Sequence, residues 1–451
     1  MERRAFLGKF GVGAAGLGTM VTSAGAALPE PITDGPDRNS FKAADFGAVG
    51  NGAADDTAAI QKAIDSAHKL GGGTVYLEGT KGRDFRCFGQ ISFDNKRGVR
   101  IVGSAGPNVP DSAQPAAQLI YMGTASPFIS LRSSYSISMD GVKISYSNND
   151  FRGSLVETGH SPEVKGDPAY LLFDRCCFLG NGKARRAAFL LNLSRCIFST
   201  VRNCVFQLAD TGIVGITGRG NYSNVIQITD CVFQDLNTVA IKSGGESWLI
   251  SGCAFEPLVN QRAGAYMQGA NTSAWGLVFI GCWMGDVLAP GGCWIDITGG
   301  PAYGLTIIGN RIAPAGNGPK DTAIKLGNGN TGVMISGNRI EGPVCIDFTE
   351  GYTYGASIIG NDLQGKTPIA HLQNAVNHFV AGHYTTPNVM SGISNFQIGV
   401  FSGDGVRGGI NLTPQTWGPP AKPENGDIWM DNSGMFVRIN GQTRRVRLDQ
   451  T

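Results

Sequence analysis

The chain has 451 residues, 42% of them hydrophobic and 16% charged, with 66 glycines. A charged fraction well below the usual quarter, with glycine in no Gly-X-Y period, excludes collagen and favours a long, turn-rich β architecture over a helical one. The formal net charge is +2, and without the first 26 residues, which hold Arg3, Arg4, Lys9 and Glu2, the balance is 34 basic to 34 acidic. So neutral a chain lacks the electrostatic footprint of a nucleic-acid or anionic-membrane binder.

The N-terminal stretch "RRAFLGKF" resembles the bacterial twin-arginine export signal, with Glu2 where Ser or Thr is usual. A weakly apolar Gly/Ala stretch follows and ends at Ala24-Gly25-Ala26, small residues suited to cleavage. Residues 1–26 are therefore read as a signal peptide and 27–40 as a linker, which makes the mature protein periplasmic or secreted. The stretch is too short and glycine-rich for a stable span, and no other apolar run approaches that length, so no membrane insertion of the mature form is expected. Ten cysteines in an exported protein ordinarily imply disulfides. The twin-arginine route carries proteins folded in the reducing cytoplasm, so buried free thiols are expected instead.

In residues 41–79, Asp55-Asp56-Thr57 offers N-cap oxygens, and Ile60, Ala63, Ile64, Ala67 and Leu70 form one apolar stripe. This predicts a helix over about 55–70, ended by "GGG", with Val75-Tyr76-Leu77 opening strand structure. Such a helix would close the bare end of a core built downstream.

Downstream, one frame recurs. "LLFDRCCF", "TVRNCVF", "QITDCVF", "LISGCAF", "VFIGCWM", "LTIIGNRI", "VMISGNRI" and "ASIIGNDL" align on Cys176, Cys204, Cys231, Cys253, Cys282, Asn310, Asn338 and Asn361. The spacings are 28, 27, 22, 29, 28, 28 and 23 residues, and two positions on comes an apolar residue each time, from Phe178 to Leu363. That period marks a solenoid. Alternation within the units is strand-like, and a second strand set ("VAIKS", "AYMQG", "CWIDI", "TAIKL", "VCIDF", "IAHLQ") lies between them. Two or three strands per coil make a parallel β-helix over residues 41–402, rising on the order of 34 Å across the seven steps. Stacked asparagines would pass amide hydrogen bonds along the axis, with cysteine as a small, soft filler at the same corner. No CxxC or histidine pair accompanies the cysteines, so no metal is expected. Alternation sends one of Cys176 and Cys177 inward and the other outward, against a vicinal disulfide.

Residues 403–424 form a Pro-rich linker, and 425–451 read as alternating strands around "NG" turns. This small β module is similar to those ending phage-type fibre proteins, as an end cap or as an element for trimerisation or attachment; in the latter case the chain is a homotrimer.

The pattern "ADFGAVGNGAADDTAAIQKAID…GGGTVYL" resembles the entry segment of the pectate lyase-like, right-handed parallel β-helix proteins, among them rhamnogalacturonase and epimerase-like domains and phage tailspike depolymerases. The likeness is strong over residues 41–79 and extends through the "IxGNxI" coils to about residue 375. It implies an all-β, single-stranded right-handed β-helix and leaves the activity open. In that setting Asp55 and Asp56 are caps rather than catalysts.

A filled β-helix core leaves function to outward residues and loops. One outward column reads Lys242, Gln268, Asp296, Lys325, Asp347 and His371: either a solvated ladder of weak ion pairs or a saccharide groove whose carboxylates act on a glycosidic bond. Asp210 before a strand start and Glu246 beside Trp248 are the hydrolytic pair, with Asp296 third. For a lyase, Lys242 or Arg219 abstracts the C5 proton of a uronic acid, aided by a divalent cation such as calcium. Otherwise no cofactor is expected, and no Asp-rich run offers a calcium site. The "NTD", "GHG" and "RIK" signatures of the polygalacturonase branch are absent, and His160 is a loop histidine. Trp248, Trp283, Arg219, Lys325 and Asp347 are the substrate-binding candidates. Trp275, Trp283, Trp294 and Tyr303 lie close in the coil register, and Trp283 faces outward as a sugar platform or an oligomer contact. The expectation is an exported protein that cleaves or remodels an extracellular polysaccharide as a hydrolase or lyase. The competing expectation is a non-catalytic glycan-binding or fibre-like β-helix.

Overall fold

Strands of two to seven residues are too short to persist alone, so each must be completed by the coils before and after it. The computed structural model describes residues 39–103, 117–159, 166–181, 187–215, 222–256, 263–268, 274–285, 292–314, 321–349, 351–376, 378–381, 428–431 and 434–446. Successive coils feed three parallel sheets of 14, 12 and 11 strands. A representative coil runs through Ile197–Arg202 in sheet one, Val205–Gln207 in sheet two and Thr211–Val214 in sheet three, then returns at Ser223–Thr229 to sheet one. The expected right-handed parallel β-helix is the fold, with three strands per coil.

The recurrent frame is the corner between sheets one and two. Its first residue is left-handed in coil after coil: Arg175, Asn203, Asp230, Gly252, Gly281, Gly309, Gly337 and Gly360 have φ between 53° and 66°. Glycine adopts this region without a steric penalty, which explains the "GN" of the later coils. The next residue points inward. Asn338 Oδ1 accepts from the Asn310 amide at 2.8 Å and from Asn310 Nδ2 at 2.9 Å, and Asn361 Oδ1 receives the same pair from Asn338 at 3.0 and 2.9 Å. Each Nδ2 also donates to a carbonyl of the preceding coil, as Asn338 does to Ile307 at 2.8 Å. The cysteines do more than fill space. Cys204 Sγ donates to the Phe173 carbonyl at 3.6 Å, the same relation Asn310 Nδ2 has to Phe279, so the thiol replaces the amide donor. Two residues on, Phe178, Phe206, Phe233 and Phe255 stack at centroid spacings of 4.7, 5.0 and 5.1 Å.

All ten cysteines are free and buried. Cys177 turns away from Phe178 as alternation requires, yet it is covered too, and burial pushes its thiol up to about 11. Burial likewise pushes Cys196 and Cys345 up to about 12, so these thiols are not the thiolates that react.

A second corner, at the entry to sheet one, repeats a left-handed residue at Phe198, Val225, Ser247, Gly276, Gly304, Gly332 and Gly355. The extra turn breaks alternation, so the residue before it faces out and the residue after it is buried, as in Trp275-Gly276-Leu277 and Tyr354-Gly355-Ala356. Val225 pays for this bend with φ 55°, a region a β-branched residue enters at about 1–2 kcal/mol. Val225→Asn is accordingly expected to stabilise the protein by about 1 kcal/mol, read as a rise in the unfolding midpoint.

The capping helix spans Thr57–Lys69 and buries Ala59, Ile60, Ala63, Ile64 and Ala67. Leu70, expected in the stripe, is exposed because the helix has ended: Gly71 and Gly72 have positive φ and donate to His68 and Ala67. Asp55 Oδ1 accepts from the Thr57 amide at 3.0 Å. Asp56 is buried and instead binds the entry loop, accepting from the amides of Val49 and Gly50 at 2.6 and 3.1 Å. Among the described residues no helix is long and apolar enough to cross a membrane.

The chain divides into two compact units, Met1–Gly392 and Ile393–Thr451. In the second unit, Ile428–Asp431, Gly434–Ile439 and Gln442–Arg445 form an antiparallel sheet. The expected "NG" turn is Asn440-Gly441, both with positive φ. The expected signal peptide and the expected Pro-rich linker lie outside the described residues.

Candidate active site on the third sheet

Sheet three carries the outward chemistry. Its backbone register runs Glu157, Asn192, Val214, Lys242, Tyr266, Asp296, Lys325, Asp347, Ala370. At roughly 4.8 Å per coil, it lines up Glu157, Asn192, Lys242, Asp296, Lys325 and Asp347 along the axis, interrupted between Asn192 and Lys242 by the fully buried Val214. The expected column was misregistered at two places. A shift after Tyr266 pairs Gln268 with Gly299, and Ala370 rather than His371 lies opposite Asp347. Of the expected ion-pair ladder one rung forms among the described residues: Asp347 takes His371 Nδ1 at 2.6 Å, whereas Asp296 turns to the Thr298 hydroxyl at 2.6 Å. Lys242 is half-buried, and loss of hydration lowers its ammonium pKa below the usual lysine value.

The stripe begins in a cleft of about 530 Å³, large enough for a sugar unit or two. Strands Gly153–Glu157 and Ala187–Asn192 pair here so that Glu157 and Asn192 lie side by side behind the buried Val156 and Leu191. Glu157 is held from two sides: Arg132 Nη2 donates to Oε1 at 3.0 Å, and Asn192 Nδ2 to Oε2 at 3.3 Å. Asn192 is itself fixed, its Oδ1 accepting from the amide and hydroxyl of Ser194 at 3.1 and 2.7 Å. Arg132 is anchored through its backbone amide, which donates to Asp94 Oδ1 at 2.9 Å. Phe189 and Arg195 also line it, with Arg195 Nε 3.3 Å from Asp167. The cleft therefore presents a preorientated carboxylate, two guanidinium groups and an aromatic ring. Sequence reasoning missed it because Arg132, Glu157 and Asn192 precede the recurrent frame or fall in its first coil, in no motif of their own.

The candidates named from sequence are mostly dispersed. Asp210 lies at the corner before sheet three and accepts from the Thr238 hydroxyl at 2.6 Å. Glu246 is exposed at the start of sheet one, next to Asn224 and Trp275. The five-residue strand Val239–Ser243 separates the two corners, a distance on the order of 16 Å. That is beyond the roughly 5–9.5 Å of a glycosidase pair, so these two carboxylates do not share a bond to cleave. Trp248 is no sugar platform: the left-handed bend at Ser247 turns it into the core, where its indole N–H donates to the Ser223 carbonyl at 3.2 Å. Trp294 is also buried, bonded to the Ala313 carbonyl. Trp283 faces outward on sheet two, apart from Trp275, which stacks on Tyr303 at 4.6 Å on sheet one. Arg219 and His160 lie outside the described residues. Among the described residues no group of three or more His, Cys, Asp or Glu is placed to hold a metal.

Residues 40–122 match the family model described as rhamnogalacturonase A/epimerase, pectate lyase-like. Mannuronan C5-epimerase AlgE3 of Azotobacter vinelandii is 73% identical over 37 residues, 8% of this chain and 2% of that protein. Alginate lyase 7 of the same organism is 68% identical over 37 residues, 8% of this chain and 4% of the lyase. The match thus spans a few per cent of the length of these curated relatives. Among solved structures, the Dettilon tailspike protein (gp208) superposes with a TM-score of 0.54 at 13% identity, covering 76% of this chain and 68% of that one. The A-module of A. vinelandii mannuronan C-5 epimerase AlgE6 superposes with a TM-score of 0.50 at 17% identity, covering 77% and 99%. At these identities the likeness is one of fold.

Proposed function

We propose that this chain, whose residues 40–122 match the rhamnogalacturonase A/epimerase, pectate lyase-like family model, is an exported protein that cleaves or remodels an extracellular polysaccharide. The glycan lies along the outer stripe of sheet three, and the cleft at Glu157 is the reacting end. One observation carries this reading: Arg132, Glu157, Asn192 and Arg195 converge in one cleft of sugar size. Two guanidinium groups suit a uronic acid, because the planar fork matches a carboxylate and neutralises it. Neutralising that carboxylate acidifies the C5 hydrogen, and an adjacent base then removes it, which is the common first step of lyase and epimerase chemistry. Glu157 is the base that geometry favours. Lys242, four register positions along the stripe counting Glu157 as the first, holds the incoming chain.

The test is a panel of neutral and acidic polysaccharides incubated with the purified protein, followed by reducing ends, unsaturated-uronate absorbance and solvent deuterium incorporation at C5. A lyase yields the absorbance, an epimerase only the deuterium, a hydrolase only reducing ends. No product and no binding on any glycan would sink the proposal. The second reading, a non-catalytic glycan binder, is favoured by the separation of Asp210 from Glu246. Binding without product would select it.

A further inference from the structure

The outer face of sheet one changes character along the axis. In its first half, charges in neighbouring coils pair: Asp140 binds Arg100 and Arg175, and Asp174 binds Arg202 at 2.8 Å. From strand Ala274–Ile280 through Thr306–Ile308, Met334–Ser336 and Ser357–Ile359 to Phe379–Ala381, no outward position among the described residues is charged. In place of charges, Trp275, Ile280, Met334, Tyr354, Ile359 and Phe379 are exposed by 38–53%.

We propose that this half of sheet one is a self-association surface, and that its occupant is a second copy of this chain. Three observations favour a copy. The six side chains together expose on the order of 600 Å² before their half-buried neighbours are added, near the roughly 800 Å² per partner of a stable interface. That lies at the upper end of what a monomer usually leaves as one apolar patch. The face offers no charge to recruit an acidic or basic partner. Its relief has the period of the coil rise, so the ridges of one copy match the grooves of another when the two axes run side by side, a self-complementary contact. Threonine and serine hydroxyls at Thr306, Ser336 and Ser357 add hydrogen bonds without charge. The inference is independent of the chemistry assigned to sheet three.

The experiment uses the full chain in sedimentation velocity over a dilution series. Wild type is expected to form a concentration-dependent dimer or higher oligomer. Met334→Lys with Ile359→Lys is expected to weaken association on the order of 100-fold, since it forces unpaired charges into the contact, with the melting curve unchanged. As a second probe that leaves the apolar surface intact, Ser336→Cys with a bismaleimide should trap a cross-linked dimer, the native thiols being buried. A wild type that stays monomeric throughout, an oligomer that the lysines leave intact, or a monomer in which they abolish glycan binding instead would each overturn the proposal. Activity on the glycan panel retained by the dissociated variant keeps this question separate from that of the cleft.

Discussion

Asn338→Ala is expected to lower the stability of the β-helix by about 3–5 kcal/mol, with the fold retained at low temperature. The side chain is 1% exposed, so water does not replace what it provides. Its loss leaves the Asn310 amide and one Asn310 Nδ2 hydrogen without their acceptor, and the Ile307 carbonyl without its donor. Each orphaned buried group costs about 1–3 kcal/mol, which outweighs the roughly 0–1 kcal/mol of any one surface ion pair on sheet one. Asn338→Cys should lose about half as much, because the thiol still donates to the preceding coil as Cys204 and Cys231 do. Denaturant unfolding followed by circular dichroism reads both. Equal losses for the two variants would show that the corner needs only volume.

Glu157→Gln is expected to reduce kcat/KM on the responsive glycan by about 10²–10⁴-fold, the usual contribution of a positioned proton-transfer group, while shifting the melting temperature little. The amide retains the size of the side chain and an acceptor for Asn192, so the cleft keeps its shape. Arg132→Lys should cost less in kcat than in KM, since the charge stays and the planar fork is lost. Asp210→Asn and Glu246→Gln should change the rate by no more than about threefold, because each sits at a separate corner, away from the cleft. A large loss at those two positions with little at Glu157 would move the reacting end away from sheet three.

The solenoid was legible because its constraint is local and repeats. A left-handed residue, a small inward donor and an apolar residue recur at these corners, and "VMISGNRIEG" at 333–342 shows all three: Ile335, Asn338 and Ile340 are buried, Gly337 is left-handed and Arg339 is exposed. The sequence also holds a weaker repeat, Trp275-Gly276, Tyr303-Gly304, Thr331-Gly332 and Tyr354-Gly355. It would have placed the exposed column of sheet one and warned that Trp248, after the equivalent Ser247, turns inward. The site was less legible. Strand-to-strand register on sheet three slips after Tyr266, and a slip of one residue exchanges the two faces.

The sequence alone therefore determined the coil, its corners and its core. A period of 22 to 29 residues repeats the same local sterics and the same buried hydrogen bonds until only one winding satisfies them. Which outward side chains meet was decided by the tertiary structure. Arg132, Glu157 and Asn192 are 25 and 35 residues apart along the chain, and they touch only because whole coils of different length close between them. The uncharged face of sheet one arises in the same way, from residues that are unremarkable singly and adjacent only once stacked.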